Sequence, residues 1–228
     1  LDAATGTGEP GLTAATFVPK GKVTGQDLAE DMLELAKENA RIRGIKNYET
    51  VSCDVSQMPF SENYFDAVMA RFGFMFFPDM QMAANEMTRI AKPEAKISTS
   101  VWGLPEKNPW ATAILGTINQ MMQIPPPPDG APGLFRCAKP GMMKEIFEMA
   151  GLKNVSEKEV SGVNSFDSAE HYWEFMNDIA APVVGSLSKA DEEMKSKIKL
   201  TVSEKVRKFS SNGKIFLPWC AVVITGEK

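Results

Sequence analysis

The residues whose types and spacing carry the most chemistry come first in the chain. Asp2-Ala3-Ala4-Thr5-Gly6-Thr7-Gly8-Glu9-Pro10-Gly11 runs from a strand-like end through a glycine turn into a helix-compatible stretch. Gly6 and Gly8 have no Cβ, so the backbone there can approach a ligand closely and take a positive φ. Gly6, Gly8 and Gly11 also match the form GxGxxG, the fingerprint of dinucleotide sites, in which a pyrophosphate rests on a helix N-terminus. The acids around this turn oppose that ligand. Asp2 stands four residues before Gly6, and Glu9 follows at the place where pyrophosphate would sit. A carboxylate repels pyrophosphate and attracts an ammonium group. Two more carboxylates, Asp27 and Asp54, close the next two strand-like segments. An acid at the second strand end suits the hydroxyls of a ribose. An acid at the third suits an adenine amino group, which donates hydrogen bonds.

Positioning these groups requires alternating elements, and the first 102 residues supply them. The pattern predicts a short helix over Gly11 to Val18, a strand over Gly21 to Gln26 ending at Asp27, and a helix over Ala29 to Ile42. In that helix Met32, Leu33, Leu35, Ala36 and Ala40 recur at helical spacing and Gly44 stops the run. Strands follow over Tyr48 to Cys53 and Phe65 to Ala70, then a helix over Met80 to Ile90 with Pro93 beyond its end, then a strand over Lys96 to Trp102. Such alternation builds parallel βαβ units into an open, doubly wound sheet, and these sheets bind ligands at the carboxyl ends of their strands. Beyond Trp102 the spacing predicts helices over Asn108 to Ile124, Pro140 to Ala150, Ser168 to Ile179 and Lys189 to Phe209, with strands over Asn154 to Ser161 and Ile215 to Thr225. Pro125 to Gly133 can be neither helix nor central strand. It reads either as a hinge over a pocket or as a stiff surface connector.

Composition narrows the ligand. The chain has 228 residues and a net charge of −4, whereas nucleic-acid binding needs a basic face that displaces counterions. The basic cluster Lys195, Lys197, Lys199, Lys205, Arg207 and Lys208 is interleaved with Glu192, Glu193 and Glu204, the pattern of a solvated helix. Cys53, Cys137 and Cys220 are odd in number and far apart. They read as buried thiols in a reducing cytoplasm, with neither a disulfide framework nor a metal site. No apolar run is long enough for a membrane span. The abrupt start at Leu1 on a strand end leads us to expect that residues precede it.

The acids and glycines together resemble a known family. Asp-x-x-x-Gly-x-Gly at positions 2 to 8 resembles the first motif of class I S-adenosylmethionine-dependent methyltransferases. Gly25-Gln26-Asp27-Leu28-Ala29-Glu30-Asp31-Met32-Leu33 resembles their second-strand motif. Cys53 to Phe60 and Asn63 to Val68 resemble the third and fourth, and Ala70-Arg71-Phe72-Gly73-Phe74-Met75-Phe76-Phe77-Pro78-Asp79 continues the pattern. Order and spacing are similar to the ubiquinone/menaquinone-biosynthesis type, specifically over residues 1 to 102 and loosely thereafter. One departure is Ala4, where many members carry glycine; because alanine is also small, the expected cost is slight.

The resemblance implies a Rossmann-like, mostly parallel seven-stranded sheet with an antiparallel C-terminal strand and a small helical lid. It implies one methyltransferase domain, with 1–102 binding cofactor and 103–215 shaping the substrate side. It places Asp2 near the methionine amino group, directly or through water. Ala4, Thr5 and Gly6 pass the methionine and ribose by backbone, with Gly8 completing the turn. Asp27 accepts from the ribose hydroxyls, and Leu28 and Met32 pack on adenine or ribose. Asp54 accepts from the adenine amino group, and the Val55 amide donates to a ring nitrogen. Arg71 and Phe72 lie near the methionine end or the substrate.

The implied reaction is methyl transfer to a small-molecule acceptor by in-line displacement, needing no metal and no dedicated nucleophile. His171 is the only histidine and hence the default base near neutral pH, although a histidine there is more often structural. Tyr172, Trp173 and Phe175 would line an apolar pocket or form core. The methionines fit an adaptable pocket or core filling. Neither nucleic acid nor membrane is expected as partner, and a homodimer is open beside a monomer. Two other readings stay open: an NAD(P)-dependent oxidoreductase, which Asp2, Glu9 and Asp54 oppose, and a S-adenosylmethionine-binding regulatory protein without turnover.

Overall fold

The computed structural model describes residues 1–228. The strands are β1 (Asp2–Ala3), β2 (Val23–Asp27), β3 (Tyr48–Ser52), β4 (Phe65–Arg71), β5 (Ala91–Trp102), β6 (Lys153–Phe166), β7 (Ser210–Ser211) and β8 (Lys214–Glu227). The helices are α1 (Gly11–Phe17), α2 (Glu30–Ile42), α3 (Met80–Ile90), α4 (Pro109–Met121), α5 (Met142–Met149), α6 (Ala169–Ile179), α7 (Ala181–Leu187) and α8 (Glu192–Arg207). One sheet takes the order β3-β2-β1-β4-β5-β8-β6, with β7 pairing only to β8. The pairs β1–β2, β1–β4, β2–β3 and β4–β5 are parallel. Glu94 donates its amide to the Lys228 carbonyl and Ser98 Oγ donates to the Ile224 carbonyl. Partner numbers therefore fall as residue numbers rise, and β8 runs antiparallel to β5. The order reverses direction beside β1, so β1 and β4 flank the switch point at which open α/β sheets bind ligands.

The chain forms two compact units: Leu1–Trp102 with Pro132–Glu159 and Val222–Lys228, and Gly103–Ala131 with Val160–Ala221. Residues 132–159, which the sequence pattern groups with the substrate side, thus belong to the first unit. The reason is apolar burial: Met143 and Phe147 of α5 join the core of Val68, Phe74, Met75, Met87 and Ile97. Helix α3 starts on its Asp79 cap, whose side chain accepts from the Met82 amide. Its buried face of Ala83, Ala84, Met87 and Ile90 lies at i, i+1, i+4 and i+7.

In the second unit the aromatic run on α6 divides. Tyr172 is fully buried and donates its hydroxyl to the Trp110 carbonyl at 2.7 Å, so it is core. Asn108 is buried too; its Nδ2 donates to the Cys220 carbonyl at 3.0 Å while its Oδ1 accepts from the Cys220 amide at 2.9 Å. Lys195, Lys197 and Lys199 of α8 pair with Glu192, Glu193 and Glu170, a solvated charged face, while Lys205 donates to the Thr117 hydroxyl at 2.8 Å. Residues 122–131 carry no regular element. The three cysteines are free, and no helix is long and apolar enough to cross a membrane.

Candidate functional site

A cavity of about 550 Å³ opens in the first unit at the carboxyl ends of β1, β2, β3 and β4. Its wall contains Ala4 and Gly6 from the first turn, Gln26 and Asp27 at the end of β2 with Leu28, Ala29 and Met32 beyond it, Asp54 and Val55 after β3, and Phe72, Gly73 and Phe76 to Pro78 after β4. Eight residues singled out in the sequence meet here: Ala4, Gly6, Asp27, Leu28, Met32, Asp54, Val55 and Phe72.

The two carboxylates on the wall are held differently. Asp27 Oδ2 accepts the Gly6 amide at 2.8 Å and its Oδ1 accepts the Ala29 amide at 3.0 Å. It joins the glycine turn to the start of α2, with lone pairs to spare. Asp54 Oδ1 accepts both the Ser56 amide and the Ser56 hydroxyl at 2.7 Å. Those bonds hold its carboxyl below the ordinary carboxylate range, so it is an anion at neutral pH. Leu28 is 71% exposed and Met32 is 44% exposed, an apolar rim beside two acceptors. This donor set fits hydroxyls, an amino group and an apolar ring. Gly6 adds a cradle: it has φ +55°, and nothing lies within 4 Å of where a Cβ would stand.

Four residues expected to bind cofactor do not reach the cavity wall. Asp2 is wholly buried beneath the turn, where its Oδ2 accepts the Thr5 hydroxyl at 2.6 Å and the Gly11 amide at 2.8 Å. Its Oδ1 is buried without a protein partner. Burial pushes its pKa up to about 6, against the pull of Thr5 and Gly11. Thr5 is also buried and shares its hydroxyl with Tyr48 at 3.0 Å; burial raises the Tyr48 phenol to about 12. Gly8 has φ +110°, and a Cβ there would stand 2.7 Å from Leu12 Cδ1, so its role is packing of the turn on α1. Arg71 is exposed, donates to the Glu9 carbonyl at 3.3 Å and lies 5.7 Å from the Phe72 ring.

His171 is not among the residues that line this wall; it belongs to the second unit, at the start of α6. Its Nδ1 accepts the Asp167 amide at 3.2 Å, and its ring packs edge-on against Phe166. Its backbone amide donates to the Ser168 hydroxyl that caps α6, at 3.0 Å, and Asp167 Oδ2 stands 3.7 Å from Nδ1.

The same turn bears on the competing nucleotide reading. The Gly11 amide is taken by Asp2, and the Thr13 amide by Glu9 Oε2 at 3.2 Å. Two carboxylates thus occupy donors that a pyrophosphate would need at a helix N-terminus. Glu9 itself pairs with Arg43, so it opposes pyrophosphate by capping α1 rather than by facing a ligand.

Ala4 corrects one expectation. It adopts φ +53°, where an L side chain costs about 1 kcal/mol relative to glycine whatever its size. We expect Ala4→Gly to stabilise the chain by about 1 kcal/mol in urea denaturation; an unchanged or lowered midpoint would contradict this backbone reading. Phe72 is likewise left-handed, at φ +57°, a strained conformation for a bulky residue. Its ring stacks on Trp102 at 4.3 Å and 12°, and its amide donates to Ser100.

The sequence reading missed Gln26, Ala29, Gly73, Phe76, Phe77 and Pro78. Gln26 carries a signal, being a polar residue in an otherwise inward-facing parallel strand. It is 2% exposed, accepts the Ala4 amide at 3.2 Å and donates to the Cys53 carbonyl. The aromatic wall follows a strand end directly, which is also readable. Its anchoring is not: Arg136 donates to the carbonyls of Phe77 and Pro78 from 59 and 58 residues away in sequence.

The strand order is that of a Rossmann-like, doubly wound sheet. Residues 1–94 match the sequence model of a family described as "Methyltransferase domain". The demethylmenaquinone methyltransferase of Thermus thermophilus is 32% identical over 134 residues, 59% of this chain and 50% of the relative. That of Geobacillus stearothermophilus is 36% identical over 94 residues, 41% of this chain and 40% of the relative. The chain thus spans half or less of the length of these relatives. The fold also matches a SAM-dependent methyltransferase of Aquifex aeolicus, with TM-score 0.52 and 24% identity over 70% of this chain and 73% of the other. It matches the [4+2]-cyclase SpnF with TM-score 0.62 and 19% identity, over 100% of this chain and 73% of the other. A fold hosts more than one chemistry, so the function rests on the site.

Proposed function

We propose that this chain transfers a methyl group from S-adenosylmethionine to a small-molecule acceptor. The observation that carries the proposal is the pairing of Asp27 and Asp54 on one cavity, beside a helix N-terminus already closed by Asp2 and Glu9. Asp27 receives the ribose hydroxyls, Asp54 receives the adenine amino group, and Leu28, Met32 and Val55 cover the base. Ala4, Gly6 and Phe72 line the methionine side. Asp2 acts from below, fixing the turn through Thr5 and Gly11.

When bound, the cofactor supplies an electrophilic methyl group. The protein aligns the acceptor and excludes water, and the aromatic wall of Phe72, Phe76 and Phe77 suits both tasks. This reading needs no metal. No base is assigned, because His171 is engaged at its own helix end. The net charge of −4 supports a small molecule over nucleic acid, and the free thiols support a cytoplasmic setting.

The test is release of S-adenosylhomocysteine from S-adenosylmethionine with a panel of quinols, phenols, thiols and amines. Demethylmenaquinol comes first because of the relatives' names. We expect acceptor-dependent release with at least one class. Tight cofactor binding without release on any of them would favour the regulatory, non-catalytic reading instead.

A further inference from the structure

The loop that carries Asp54 and Val55 has no regular structure between Cys53 and Phe60, yet adenine recognition requires it to be fixed. One end is held by the Gln26 amide on the Cys53 carbonyl. The other end is held from α3. Glu86 Oε1 accepts the Met58 amide at 2.7 Å, and Arg89 Nη2 donates to the Met58 carbonyl at 3.2 Å. Arg89 also donates Nε to Glu86 Oε2 and Nη2 to Glu86 Oε1, both at 2.7 Å. Both backbone groups of Met58 are therefore gripped by one bidentate ion pair. The grip is sheltered: the Glu86 side chain is 12% exposed and the Met58 residue 4%. A surface i,i+3 pair contributes little, but this pair also supplies the acceptor for the Met58 amide and adds a second donor to a carbonyl that already accepts the Phe60 amide at 2.8 Å.

We propose that Glu86 and Arg89 are positioning residues that set cofactor base specificity by holding the Asp54 loop. They touch neither the cavity nor the base, since neither lines the wall. With Met58 gripped and Cys53 tied, the intervening residues are closed by the Asp54–Ser56 turn. The Asp54 carboxylate then has one place to stand. The inference rests on the cofactor placement proposed above.

The test compares S-adenosylhomocysteine with S-inosylhomocysteine, in which a carbonyl replaces the adenine amino group, by calorimetry on the full chain. A charge-assisted hydrogen bond supports a wild-type preference for the adenine form of about tenfold or more. We expect Glu86→Ala to weaken S-adenosylhomocysteine binding about tenfold and to shrink the preference below about threefold. Glu86→Gln, which keeps an acceptor for the Met58 amide, should retain most of the preference. A merely structural role would weaken both ligands alike, so an unchanged preference in Glu86→Ala overturns the inference alone. If wild type shows no preference, the placement of Asp54 at the base fails first and takes this inference with it. Should Glu86→Ala not fold by circular dichroism, Arg89→Met is read by the same ratio and decides in the same way.

Discussion

Asp27→Ala is expected to lower affinity for S-adenosylhomocysteine at least about 100-fold while leaving the chain folded. Two ribose hydroxyls donating to one carboxylate make two charge-assisted bonds, each contributing about 1.5–3 kcal/mol. Their loss alone reaches about 3 kcal/mol, or about two decades in Kd. A second effect adds to it. The same carboxylate holds the Gly6 and Ala29 amides, so its removal frees the turn that must cradle the ligand and raises the ordering cost of binding. Asp27→Asn keeps one acceptor oxygen and should lose less, about tenfold. Folding should survive both changes, because the sheet's core residues and the β2–β3 register do not use this side chain.

Asp2→Asn is expected to gain stability relative to wild type as pH rises, by about 3 kcal/mol between about pH 4 and about pH 7. Burial raises the folded-state pKa of Asp2 from 3.8 to about 6. Between those values the folded chain holds a proton that the unfolded chain releases, so wild-type stability falls as pH climbs through this window. The asparagine does not titrate. Its oxygen can replace Oδ2 as acceptor for Thr5 and Gly11, and no buried anion remains. The carboxyls held low by partners, such as Asp54, Asp66 and Glu86, lose stability on acidification equally in both chains and cancel in the difference. Urea denaturation of both chains at several pH values measures it. A margin independent of pH would mean that Asp2 is not a buried carboxylate under strain.

Much of this architecture is legible in the sequence because it rests on local chemistry. A glycine turn after a strand, and an acid at each of the next two strand ends, put Asp27 and Asp54 on one edge of a parallel sheet whatever the details. Helix α3 is readable from its apolar period and the proline beyond its end, and it spans Met80–Ile90 as the pattern predicts. Helix α7 is not, because seven residues opening on Ala181-Pro182 and containing Gly185 offer too short a period. Strand β7, of two residues, exists only through its pairing with Lys214 and Ile215. Backbone handedness is equally silent: Ala4 reads as small, while its cost lies in φ. The side-chain direction of Glu9, toward Arg43 and α1, depends on a helix 34 residues away. Glu86 and Arg89 read as an ordinary i,i+3 surface pair, since nothing local to α3 announces Met58. What escapes the sequence is contact between distant segments, and that contact converts a set of acids into a shaped site.

The most direct test of the central claim is a calorimetric titration of S-adenosylhomocysteine into the intact chain, run beside Asp27→Ala. The account predicts one site of micromolar affinity in the intact chain and no measurable heat in the variant at the same concentrations. No binding by an intact chain that is folded by circular dichroism, or equal binding by the two, would contradict it.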